Sequence, residues 1–245
     1  MKNYKIVLQY EGTKYHGWQK QGNTQNTIQE KLENVLSRLD NRKVEVNGAG
    51  RTDAGTHAKG QVANFFLETE PKPERVMEYL NTYLPDDIGV TQIEEADLRF
   101  HSRLNAKKKT YMYRLRTSGI PNVLERKFYA EYNKELDTKL MKEAAGLFIG
   151  RHNFKAFCAN KNIKKSTERT LYSFEIEEAC GELRFIVCGS GFLHHMVRIM
   201  VGTLCEVGSG ERKIDSINEL LEGGERSLAG ETMPSKGLML MNIEY

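Results

Sequence analysis

The stretch GAGRTDAGTHAKGQ, residues 48–61, decides the fold class. The run before it, Lys43 to Gly48, and the run after it, Gln61 to Leu67, both read as strands, so the glycine-rich segment is a connection between two strands. A dinucleotide-binding fold would instead need GxGxxG opening a helix after a strand, and a P-loop would need GxxxxGK[ST]; neither motif occurs. Upstream, Tyr4 to Tyr10 alternates like a strand. Thr27 and Glu30 then have capping-box spacing ahead of the helical stripe Ile28, Leu32, Val35, Leu36 and Leu39. Downstream, Pro73 opens a helix through about Leu84, and Ile88 to Ile93 reads as a strand. The order β-α-β-β-α-β is that of a ferredoxin-like split unit.

The remainder repeats the order with one extra helix. Thr110–Thr117 reads as a strand, Asp137–Phe148 as a helix, Leu171–Glu177 and Leu183–Gly189 as strands around a Gly-Glu turn, Leu193–Val207 and Ile214–Leu221 as helices, and Leu238–Glu244 as a last strand. Residues 118–136 carry no clear pattern. The chain is therefore expected to be α+β, with an N-terminal half over 1–100 and a C-terminal half over 101–245. The two ferredoxin-like halves would form an extended mixed or antiparallel sheet with flanking helices, and a ligand cleft between the halves.

Composition narrows the class. At 39% hydrophobic and 28% charged residues, with five prolines, the chain resembles an ordinary globular protein. No apolar run is long enough to span a bilayer and the N-terminal run is too short for a signal peptide, so a cytoplasmic location is expected. Cys158, Cys180, Cys188 and Cys205 have no metal-ligand spacing and read as free thiols. The net charge of +3 is uneven: residues 1–100 hold 13 basic and 15 acidic side chains, residues 101–245 hold 23 and 18. Arg103–Arg116 and Ile149–Arg169 each carry six basic residues, interleaved with Tyr111, Tyr113, Phe154 and Phe157. Together they point to a polyanion surface.

Within the glycine-rich loop, Gly48, Gly50 and Gly55 would permit positive φ and close approach of a ligand to the backbone. No GxSxG signature accompanies a serine. His194 and His195 are adjacent and, on a helix, would point about 100° apart, so no metal site is expected. The chemistry left is that of a carboxylate: Asp53, two residues from Arg51, is one that a guanidinium would hold ionised as a nucleophile or base. Arg198 flanks the apolar stripe of its helix, and Tyr111 shares one strand face with Tyr113, where a ring packs in a core or stacks on an unpaired base.

Eight separated motifs agree with one family. AGRTDAGTHA at 49–58, YxGWQxQ at 15–21, QEKLE at 29–33, LPDDI at 84–88, FHSR at 100–103, KKTYMYRL at 108–115, FLHHMVRIMVGTL at 192–204 and GLMLMNIEY at 237–245 resemble the TruA family of tRNA pseudouridine synthases. The resemblance covers almost the whole chain in order. It implies a cofactor-free and metal-free isomerisation of uridine to pseudouridine, in which the glycosidic bond is cut, the uracil turns, and C5 is joined to the sugar. It also implies that Asp53 is the nucleophile, Tyr111 stacks on the target uracil, Arg198 pairs with the catalytic carboxylate, and Arg51 helps hold the flipped nucleotide. Attack on the sugar, attack on the base and a glycal route all remain open. The implied substrate is the anticodon stem-loop of transfer RNA at uridines 38–40, and the implied assembly a homodimer. Thr56 stands where the family commonly has valine, and Met233 where a small residue is usual. The same chemistry on ribosomal RNA, or noncatalytic RNA binding, are the alternatives.

Overall fold

The computed structural model describes all residues except Pro121, Lys161, Asn162 and Lys165. Two compact units are present, residues 1–107 with 240–245, and residues 108–239.

The first unit opens with strand β1 (Lys2–Tyr10), whose Tyr4, Ile6, Leu8 and Tyr10 are buried while Lys5, Val7 and Gln9 are not. This two-residue period turns one face into the core, where complete burial of a leucine or isoleucine contributes about 1.5–3 kcal/mol. Helix α1 (Ile28–Leu39) is capped by Thr27, whose hydroxyl accepts the Glu30 N–H. Its stripe Ile28, Leu32, Val35 and Leu36 is buried. Strand β2 covers only Asn47–Gly48, shorter than the expected 43–48. The reason is competition for backbone donors: the Val44 N–H donates to Ser37 Oγ at 2.9 Å and the Val46 N–H to Glu33 Oε1 at 3.2 Å. Strand β3 (His57–Leu67) starts four residues earlier than expected, directly at the end of the glycine-rich loop. Helix α2 (Pro73–Tyr83) has proline in its first turn and packs on strand β4 (Ile88–Ala96). The strands run β4-β1-β3, all antiparallel.

The second unit contains strand β5 (Lys108–Arg116), the short strand β6 (Ala130–Glu131), helix α3 (Thr138–Gly146), strands β7 (Gly150–Asn153), β8 (Glu168–Ala179) and β9 (Glu182–Gly189), and helices α4 (Met196–Gly208) and α5 (Ser216–Leu221). Strands β5-β9-β8-β7 are antiparallel neighbours, while β6 pairs with β5 in parallel, making the sheet mixed. Between β8 and β9, Cys180 at φ 50° and Gly181 at φ 76° turn the chain; two successive positive φ values are what a tight hairpin demands. Helix α3 packs on α4 and β8. Strand β10 (Leu238–Glu244) then returns to the first unit from Leu240 onward, beside β3. Gly60 allows that approach, because a Cβ there would lie 2.4 Å from the Met241 carbonyl oxygen. The architecture is α+β, as expected, with strands flanked by helices.

Helix α4 begins at Met196, three residues later than the sequence pattern suggests, because His195 adopts the left-handed conformation at φ 63°. His194 and His195 thus precede the helix rather than lying on it, and their rings are 3.8 Å apart. Among the described residues no helix is long and apolar enough to cross a membrane.

Candidate active site

The loop ahead of β3 is pinned at nearly every residue. Its entry is fixed by the Ala49 N–H donating to Val62 O at 2.8 Å and by Gln61 Nε2 donating to Gly50 O at 2.8 Å. Thr52 is buried: its carbonyl accepts the Trp18 N–H at 3.1 Å, and its hydroxyl shares a 2.8 Å hydrogen bond with the Tyr10 phenol. Burial pushes that phenol above its ordinary pKa range, so it stays a neutral partner. Asp53 heads a four-residue turn closed by the Thr56 N–H donating to Asp53 O at 3.1 Å. Gly55 is third in that turn at φ 77°, the position where a type II turn requires positive φ. The Gly55 N–H donates to Tyr15 O at 3.2 Å. At the exit, buried His57 accepts the Gly12 N–H on Nδ1 at 3.0 Å.

Of the three loop glycines singled out from sequence, Gly55 has positive φ and Gly48 serves close approach. A Cβ on Gly48 would fall 2.3 Å from the indole of Trp18. That indole, 2% exposed, is the platform beneath the loop, with the Tyr10 ring tilted against it at 6.4 Å. Arg51 is exposed and its Nε–H donates to Gln19 Oε1 at 3.0 Å. Sequence reasoning passed over Trp18, Tyr10, Gln61 and Gln19 as parts of this site. A lone tryptophan inside YxGWQxQ, and a glutamine in the middle of an apolar strand, were the available signals.

In the second unit, Tyr111, Tyr113 and Leu115 share the buried face of β5. Tyr113 is fully buried, its hydroxyl donating to Pro234 O at 2.9 Å, and it packs edge-on to Phe185. Tyr111 meets the ring of Phe192 edge-to-face at 5.1 Å and keeps 7% exposure. Arg198, on α4, donates its Nε–H to Met233 O at 2.6 Å, and Met233 returns its N–H to Arg198 O at 3.3 Å.

The basic stretches need a correction. Tyr113, Phe154 and Phe157 are fully buried, so three of the four interleaved aromatics are core side chains and offer no face to a base. Arg114 is also committed, through Nη2 at 2.7 Å to both Glu182 and Glu125. Lys108, by contrast, holds its ammonium 5.5 Å from the Tyr172 ring centre near the surface, and Lys107 and Arg103 are exposed. Lys161 and Lys165 of the second stretch lie outside the described residues.

Residues 6–105 and 144–245 match the family model described as tRNA pseudouridine synthase. The chain belongs to that family. Along its full length it is 44% identical to tRNA pseudouridine synthase A 2 of Bacillus cereus, 46% identical to tRNA pseudouridine synthase A of another Bacillus, and 41% identical to tRNA pseudouridine synthase A of Acetivibrio thermocellus, covering 100% of each. Pseudouridine synthases are isomerases.

Proposed function

We propose that the protein isomerises uridine to pseudouridine in transfer RNA, in the anticodon stem-loop at positions 38–40, with Asp53 as the nucleophile. The observation that carries this reading is the loop itself. Four hydrogen bonds, involving Trp18, Gln61, Tyr15 and the turn's own Thr56, fix the backbone on both sides of Asp53, and the Tyr10 phenol holds the Thr52 side chain beside it. A hairpin connection without chemistry has no need of such bracing, whereas a nucleophile gains rate from being held in a near-attack position.

In this reading the N1–C1′ bond of uridine breaks, C5 forms the new bond to C1′, the C5 proton leaves to solvent, and N1 gains a proton. Atoms and charge balance without any cofactor. The family resemblance brings Tyr111 and Arg198 of the second unit to the same nucleotide, Tyr111 stacking on the uracil and Arg198 pairing with the Asp53 carboxylate, while Arg51 holds the flipped nucleotide. Extracting a base costs a few kcal/mol, which stacking worth about 1–3 kcal/mol and phosphate contacts offset. Exposed Arg103, Lys107 and Lys108 favour backbone recognition rather than base reading. A cytoplasmic homodimer is the assembly proposed, and light scattering at micromolar concentration measures it.

The test is modification of unmodified transfer RNA and ribosomal RNA transcripts, with pseudouridines mapped by carbodiimide adduct and primer extension. Stops at positions 38–40 support the proposal; stops only elsewhere, or only in ribosomal RNA, refute the assigned substrate.

A further inference from the structure

Arg51 lies at the end of a chain of side-chain amides whose polarity is set from the other end. On α1, Glu33 is buried at 6% exposure, and its carboxylate accepts the Val46 N–H at 3.2 Å and Lys20 Nζ at 3.3 Å. Gln29, one turn earlier on the same helix, donates from Nε2 to Glu33 Oε1 at 3.0 Å and to Val46 O at 3.0 Å. Both partners are acceptors only, so the amide has one orientation, with Oε1 facing away from them. That Oε1 accepts the Lys20 N–H at 2.9 Å and Gln19 Nε2 at 2.6 Å. Gln19 must therefore present its NH2 to Gln29, which leaves its Oε1 to accept the Arg51 Nε–H at 3.0 Å. A buried carboxylate at one end and a guanidinium at the other make every donor meet an acceptor.

We propose that Gln19, oriented by Gln29 and Glu33, is a positioning residue for Arg51, holding the guanidinium by Nε so that its two NH2 groups are presented to RNA before substrate arrives. This rests on the reading of Arg51 as an RNA-binding residue given above. An exposed arginine loses rotamer freedom when it engages a ligand, and a side chain already fixed at Nε avoids part of that cost. The bond suits arginine specifically, because lysine has no Nε–H.

The experiment is a double-mutant cycle on the protein, with kcat/KM measured by tritium release from C5-labelled transfer RNA at limiting RNA. Gln19→Ala is expected to lower kcat/KM about three- to tenfold in the parent, in line with coupling inside a hydrogen-bonded network, and less than about twofold in an Arg51→Lys background. An equal loss in both backgrounds, or no loss in the parent, overturns the positioning role. Arg51→Ala distinguishes the failure modes. If Arg51→Ala is impaired but Arg51→Lys has parental activity, Arg51 binds RNA and its Nε is not used, so only the positioning role falls. If Arg51→Ala itself has parental activity, the underlying reading of Arg51 falls and this proposal with it.

Discussion

Replacing Thr56 by valine should stabilise the protein. Thr56 is 1% exposed, and its hydroxyl has no hydrogen-bond partner among the described residues, although its N–H is satisfied by Asp53 O. Gly12 packs so closely that a Cβ there would lie 2.0 Å from the Thr56 carbonyl oxygen, so the backbone here has little room to shift. A buried, unpaired polar group costs about 1–3 kcal/mol, and valine puts a methyl group of similar size in the same place. The net gain should be about 1–2 kcal/mol, which in a chain of this length raises Tm by about 2–8 °C. Urea titration followed by the fluorescence of Trp18, the sole tryptophan and the platform under the loop, reads the change directly. A higher midpoint at unchanged slope is expected, with synthase activity retained. A midpoint that falls, or stays where it was, would refute the reasoning by showing that the hydroxyl is satisfied in solution.

Gly17→Ala should do the reverse: Gly17 has φ 87° and a Cβ there would meet Thr52 O at 2.5 Å, so a loss of at least about 2 kcal/mol in urea titration, with a matching fall in activity, is expected. Asp40 gives a pH dependence. Burial disfavours its charge, but Arg42 Nε and Thr69 Oγ1, each at 2.6 Å, with the N–H groups of Glu68 and Thr69, outweigh it and hold the pKa at about 2 against 3.8 ordinarily. A depressed carboxylate stabilises fully above its unfolded pKa and loses that contribution as pH falls through the folded value, so about 2 kcal/mol should disappear between pH 4 and pH 2. Asp40→Asn should flatten that part of the stability profile. Tyr111→Ala should lower kcat/KM by about five- to a hundredfold through lost stacking. Tyr111→Phe should keep RNA binding and lose turnover; parental activity in both variants would reduce Tyr111 to a packing residue against Phe192.

Elements with a strong period were legible in the sequence: β1, α1, α2, β8, β9 and β10 lie within a few residues of where alternation or helical spacing puts them. The misses share a cause, which is that a distant group decided a local outcome. Val44 and Val46 look like strand residues, yet their N–H groups are taken by Ser37 and Glu33 of α1, and β2 shrinks to two residues. Strand β7 is four residues of polar sequence, GRHN, which pairs with β8 along its whole length. Phe154 and Phe157 sit among lysines in the sequence but in the core of the fold, where the ring of Phe157 meets Phe148 at 5.1 Å. At the candidate site, Asp53 and Arg51 stood out as the charges in a glycine-rich loop. The groups that brace them from outside the turn come from 11 to 42 residues away, as the Gln61–Gly50 and Tyr10–Thr52 bonds illustrate, and no spacing rule announces such pairs.

The central claim is that a carboxylate held by this loop performs the isomerisation. Tritium release from C5-labelled uridine in bulk transfer RNA, comparing the parent with Asp53→Ala at equal RNA occupancy, measures it most directly. The account predicts steady release by the parent and none above background by Asp53→Ala. Release by Asp53→Ala at the parental rate, or none by a parent that binds the RNA, would contradict it.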